Sequence, residues 1–122
     1  MSNKANFPRT YSLANQLEIK QVFDNARKVS QKHLLILFKP NQKIHARLGI
    51  IVGKRVASSA VVRNRIRRVI RESFRLTQEK LIGLDIIVIA RHPCAVLDKE
   101  KLRQGIDELW EKLIKSLPTL AS

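Results

Sequence analysis

Aromatic residues are scarce in this 122-residue chain, at 5% of positions, and it has four glycines and a single cysteine, Cys94. A lone cysteine excludes an intramolecular disulfide framework and a cysteine-based structural zinc site. Beside Pro93 it reads as a buried, inert thiol. The four glycines are not grouped, so there is no Gly-rich loop to cradle a phosphate. No apolar run is longer than Ile86 to Ala90, which falls far short of the about 20 residues that cross a bilayer. The first residues, MSNKANFPRTYS, contain no apolar stretch that could act as a secretory signal. The sequence therefore leads us to expect a cytoplasmic protein with no membrane association.

Catalytic constellations are equally thin. His33, His45 and His92 lie in separate segments, with neither HExxH spacing nor a Cys–His pairing, and read as surface or strand-end residues. The acids near the C-terminus are interleaved with lysines, as in the i,i+4 pairs Glu108–Lys112 and Glu111–Lys115, which disfavours a carboxylate pair for acid–base work. No catalytic residue and no dedicated metal site is expected from the chain itself.

Acid is the other shortage. Ten Asp and Glu face 24 Lys and Arg, for a net charge of +14. Half of the excess comes from residues 54–75, where Lys54, Arg55, Arg63, Arg65, Arg67, Arg68, Arg71 and Arg75 meet only Glu72. A solvated helix face normally mixes both signs, so this density points to a polyanionic partner. Arginine suits the bidentate geometry of phosphate better than lysine does.

Hydrophobic residues make up 44% of the chain, enough to fill one core in a single domain over residues 1–122. Asn15–Glu18 has capping-box spacing ahead of Leu17, Ile19, Val22, Phe23 and Ala26, predicting a helix at about 15–26. Leu34–Lys39 and Ala46–Gly53 read as strands, and the turn-prone Pro40–Asn41 between them suggests a hairpin. Asp85–Arg91 reads as a strand that is apolar on both faces and hence central. A helix at about 59–77, capped by Ser58 or Ser59, would set Val62, Ile66, Val69, Ile70 and Phe74 on one apolar face. Asn64, Arg67, Arg68, Arg71 and Arg75 then gather on its opposite face, with Arg63 and Arg65 on the flanks. A last helix at about 98–117 carries the stripe Leu102, Ile106, Leu109, Trp110 and Leu113; its charges balance, so it reads as a packing element. The fold class is α+β.

The string Arg63-Asn64-Arg65-Ile66-Arg67-Arg68-Val69-Ile70-Arg71-Glu72-Ser73-Phe74-Arg75 resembles the RNR signature of the bacterial ribonuclease P protein component. The resemblance extends through Arg47–Arg55, Ala60-Val61 and Asp85–Arg91, and to Phe7-Pro8-Arg9 and Val22-Phe23. It implies an α/β sandwich with a central mixed sheet and a left-handed βαβ crossover through the basic helix. It implies a subunit that assembles with the catalytic RNA of ribonuclease P and helps hold precursor tRNA, with no obligate protein partner. The RNA, carrying Mg2+, would hydrolyse the phosphodiester that frees the mature tRNA 5′ end. Carried over, Lys54, Arg55, Arg63, Asn64, Arg65, Arg67, Arg68, Arg71 and Arg75 would face RNA, and Phe23, Ile19 and Phe7 would line a cleft for the 5′ leader. The chain departs from the family pattern in three places. No glycine separates the basic pair from the helix, Ser12 precedes Leu13 where arginine is common, and Ile19 stands where phenylalanine is common. The rival reading is a structural RNA-binding protein of ribosomal type, which shares the charge and size but has no reason to keep the RNR string after a strand.

Overall fold

The computed structural model describes residues 23, 24 and 26–117. Within them run β1 (Arg27–Ser30), β2 (Leu34–Pro40), β3 (Arg47–Ile51), α1 (Ala60–Thr77), β4 (Leu84–Ala90) and α2 (Lys99–Ser116), with 3-10 turns at Gln78–Leu81 and His92–Val96. The strands make one mixed sheet in the order β1-β2-β4-β3, and the architecture is α+β.

β4 organises this sheet. Its sequence LDIIVIA is apolar at all but one position, and only Ile89 is not fully buried. Such a strand needs a neighbour on each edge and a covering layer on each face. β2 pairs with it antiparallel, from Leu34 opposite Ala90 to Pro40 opposite Leu84. β3 pairs with it in parallel on the other edge, with Leu48 beside Ile86. This corrects the expected hairpin: β2 and β3 are separated by β4 and share no ladder. The segment 41–46 therefore spans an intervening strand, roughly 10 Å at the usual strand spacing, and Gln42 turns it with φ 59°. α1 is the crossover between the parallel neighbours β3 and β4.

β1 was not foreseen. Its sequence RKVS offers one apolar residue, Val29, which faces Ile36 on β2. A short, charged edge strand carries almost no periodic signal. Of the helix expected at 15–26, Phe23 and Asp24 are helical and Ala26 is not; the remainder lies outside the described residues.

The two long helices match their expected spans. Ser59 caps α1, its side chain accepting from the Val62 N–H, and Ile66, Val69, Ile70, Ser73 and Phe74 are buried. Asp98 caps α2 by accepting from the Lys101 N–H at 2.8 Å. The whole expected stripe of α2 is buried. Both helices cover one face of the sheet, where Leu34, Ile36, Phe38, Leu48, Ile86 and Val88 complete the core. Phe74 and Trp110 meet with ring centroids 6.0 Å apart and planes inclined by 56°, the tilted arrangement that aromatic quadrupoles favour. On the opposite face Ile87 is fully buried among Ala26, Leu37, Ile51 and Ile89.

Candidate nucleic-acid interface

With 66, 69, 70, 73 and 74 buried, a rotation of about 100° per residue puts Asn64, Arg68, Arg71 and Arg75 at the centre of the outer face of α1. Asn64, Arg68 and Arg71 are exposed, and Arg67 and Arg75 are half-buried. Among the described residues no carboxylate pairs with Arg67, Arg68 or Arg71. Glu72 is bonded to Arg75, whose guanidinium holds that carboxyl below its ordinary range. Arg67 reaches Asn64 Oδ1 only at a long 3.4 Å. Like charges three and four residues apart destabilise an isolated helix, and an anion laid along this face would relieve them.

The approach to α1 is also cationic. No acid occupies its first turn, so no carboxylate offsets the positive end of the helix dipole there. Arg63 is committed locally: its Nη1 donates to the carbonyls of Ala57 and Ser58, each at 2.9 Å. It thereby braces the turn that carries Lys54 and Arg55, both exposed. That turn closes on the Gly53 carbonyl, which accepts from Val56 N–H at 3.0 Å and Ala57 N–H at 3.3 Å. Ala57 is buried in the core and Val56 packs against it. No residue from 54 to 59 has a positive φ, so no glycine is required between the basic pair and the helix.

Arg65 differs from its neighbours. Its Nε is buried with no hydrogen-bond partner. Burial pushes the Cys94 thiol up to about 11, with the Arg65 charge opposing the shift. The thiol is therefore protonated at neutral pH, consistent with a buried, inert cysteine.

Sequence reasoning set α2 aside because its charges balance, and so missed two cations. Arg68, Val69 and Glu72 of α1 share a groove of about 370 Å³ with Lys99 and Arg103 of α2. Lys99 and Arg103 are four residues apart and stand on one edge of α2; periodicity could have paired them, but not shown which helix they would face.

Of the three expected leader residues, Phe23 alone lies within the described residues. Phe23 is 43% exposed, whereas Ile19 and Phe7 lie outside the described residues. Among the described residues no three of His, Cys, Asp and Glu gather in a way that could hold a metal ion. No helix among them is long and apolar enough to cross a membrane.

Comparison with known proteins agrees with this geometry. A family model described as Ribonuclease P matches residues 7–114. The ribonuclease P protein component of Azotobacter vinelandii is 42% identical over 116 residues, covering 94% of this chain and 89% of the relative. That of Pseudomonas aeruginosa is 42% identical over 117 residues, covering 95% and 87%. The RNase P protein of Staphylococcus aureus superposes with a TM-score of 0.80 at 27% identity, covering 84% of this chain and 94% of the other. That of Thermotoga maritima, solved with 1-(4-fluorophenyl)-2-thiourea, gives 0.73 at 26% identity, covering 87% and 99%. A sheet ordered β1-β2-β4-β3, an arginine-faced crossover helix and these matches along nearly the whole chain place it in one family: the chain belongs to the ribonuclease P proteins.

Proposed function

We propose that this protein is the RNA-binding subunit of ribonuclease P, seating the catalytic RNA along α1 and steadying the 5′ leader of precursor tRNA near Phe23. The carrying observation is the outer face of α1, where Arg67, Arg68 and Arg71 have no acid to neutralise them among the described residues. Phosphates meeting these groups release condensed counterions, a sequence-independent source of affinity. Lys54 and Arg55 extend the contact ahead of the helix, with Asn64 and Arg65 beside them. Arg63 contributes through the turn it braces, and Arg75 less because Glu72 already engages it.

The part of this chain in the endonuclease is electrostatic. Mg2+ bound to the RNA subunit would supply the chemistry of phosphodiester hydrolysis, while the protein lowers repulsion between two polyanions and orients the leader. Family membership separates this reading from a ribosomal-type packing protein, which charge alone would not.

The test is cleavage of precursor tRNA at limiting Mg2+ by catalytic RNA with and without the chain, and by the chain alone. The expected result is slow cleavage by RNA, faster cleavage by the complex and none by the protein. Cleavage by the protein alone, or no effect of adding it, would overturn the proposal.

A further inference from the structure

α1 and α2 are tied together where Trp110 Nε1 donates to Ser73 Oγ at 2.9 Å and Ser73 donates to Asp107. Toward the N-terminal ends of both helices this contact opens into the groove walled by Arg68 and Glu72 on one side and Lys99 and Arg103 on the other. Three cations line it with one carboxylate, Glu72, which is engaged by Arg75 and also feels the Arg103 charge, while Arg103 itself is paired with Asp107 outside the lining. Arg103 donates its Nε to both Asp107 oxygens, at 3.1 and 3.2 Å. This fixes the side chain and leaves its terminal nitrogens without a described partner. Lys99 is exposed and pairs with no described carboxylate. One turn before Arg68, on the same side of α1 but outside the residues that line the groove, Arg65 keeps a buried Nε with no acceptor, its charge felt by Cys94. An orphaned buried donor is costly and is ordinarily satisfied by an ion, a water or a ligand.

We propose that the groove between α1 and α2 is a second phosphate-binding surface for the catalytic RNA, in which Lys99 and Arg103 act with Arg65 and Arg68. The proposal rests on reading α1 as the RNA-facing helix, and it adds to that reading a helix whose charge balance had marked it as packing. At about 370 Å³ the groove could hold roughly a dozen waters at about 30 Å³ each, room for a phosphodiester unit with part of its hydration. The cations sit on two helices flanking a channel, a layout suited to successive phosphates of a strand; a single anion is better held by converging backbone N–H donors. The groove also adjoins the outer face of α1, so one RNA backbone can pass from one surface to the other.

The experiment measures affinity of the full chain for the catalytic RNA across a salt series, using Lys99→Ala, Arg103→Gln, their double variant, Arg103→Lys and Arg71→Ala. Each is first shown to be folded by its melting profile. Lys99→Ala should make the log affinity–log salt slope shallower by about one unit and the double variant by about two. Arg103→Lys, which keeps the charge, should restore most of the slope that Arg103→Gln loses. If Arg71→Ala flattens the slope and Lys99→Ala and the double variant do not, the groove proposal is wrong while the reading of α1 stands. If none of them moves the slope, both fail. Inorganic phosphate binding that the double variant abolishes, with an unchanged RNA slope, would reveal a free-anion site and overturn the proposal. A loss confined to precursor tRNA binding by the assembled enzyme would overturn it as well.

Discussion

Asp85 on β4 lies in register beside Arg47 on β3 and receives two bonds from its guanidinium, Nε to Oδ1 at 2.8 Å and Nη2 to Oδ2 at 2.6 Å. Asn41 Nδ2 adds a third bond to Oδ1 at 2.8 Å, and Lys39 is the register partner of Asp85 on β2. Burial alone would raise this carboxyl, but the bonds from Arg47 and Asn41 and the Arg47 and Lys39 charges outweigh it and hold the group below its ordinary value. The ionised form is thus favoured by folding, so its stabilisation is present above the unfolded value near pH 4 and is lost as pH falls through the folded one. Asp85→Asn is expected to cost about 3–5 kcal/mol at pH 7, because it leaves Arg47 largely buried without its counter-charge. Urea unfolding of both proteins at pH 7 and again at pH 3 checks this; the gap between them should narrow at the lower pH.

Ser73 sits on the buried side of α1 and accepts from the Trp110 indole. Replacing it with alanine strands that N–H in the core, at a cost of about 1–3 kcal/mol. Trp110 is the single tryptophan, so its fluorescence follows the unfolding directly. The salt dependence of RNA binding should not change in Ser73→Ala, since the residue does not reach the outer face.

Arg67 and Arg71 report on that face. The double change Arg67→Ala, Arg71→Ala should flatten the log affinity–log salt slope for the catalytic RNA by about two units, one for each phosphate left without its arginine. Filter binding over a salt series measures it. An unchanged slope would mean that this side of α1 looks into solvent.

Phe23 tests the proposed leader contact. Stacking of a base on an aromatic ring contributes about 1–3 kcal/mol, and Phe23 is exposed enough to offer its ring. Phe23→Ala should weaken binding of precursor tRNA by the assembled enzyme and leave mature tRNA and catalytic RNA nearly unaffected. Equal losses with and without a leader would remove Phe23 from the cleft.

Sequence reasoning succeeded where one element carries its own periodic signal. The rotation of α1 follows from Ile66, Val69, Ile70 and Phe74 recurring at helical intervals, and the arginine face follows from that rotation. The central place of β4 follows from LDIIVIA having no polar side to turn outward. Relations between elements were less legible. Adjacent strands separated by Pro40–Asn41 suggested a hairpin, because nothing local announces that a strand made 33 residues after β3 ends will slide between them. Val29 alone could not mark β1. The bracing role of Arg63 depends on where the Ala57 and Ser58 carbonyls point, and the meeting of Arg68 with Lys99 and Arg103 depends on how two helices lie on one sheet.

The position of β4 also sets an order of events during synthesis. Among the described strands it leaves the ribosome last, yet β2, paired until then with β1 alone, and β3 are joined only through it; Leu34 must wait for Ala90. Until then the cation-rich helix has emerged with no completed sheet to lie on, and closing such long-range pairs is the slow step of folding. A nascent chain halted before Leu84 is thus a tethered polycation rather than a small RNA-binding module. RNA in the cell would meet it as charge before it could meet it as shape, which makes completion of one buried strand the moment at which indiscriminate attraction becomes fitted assembly.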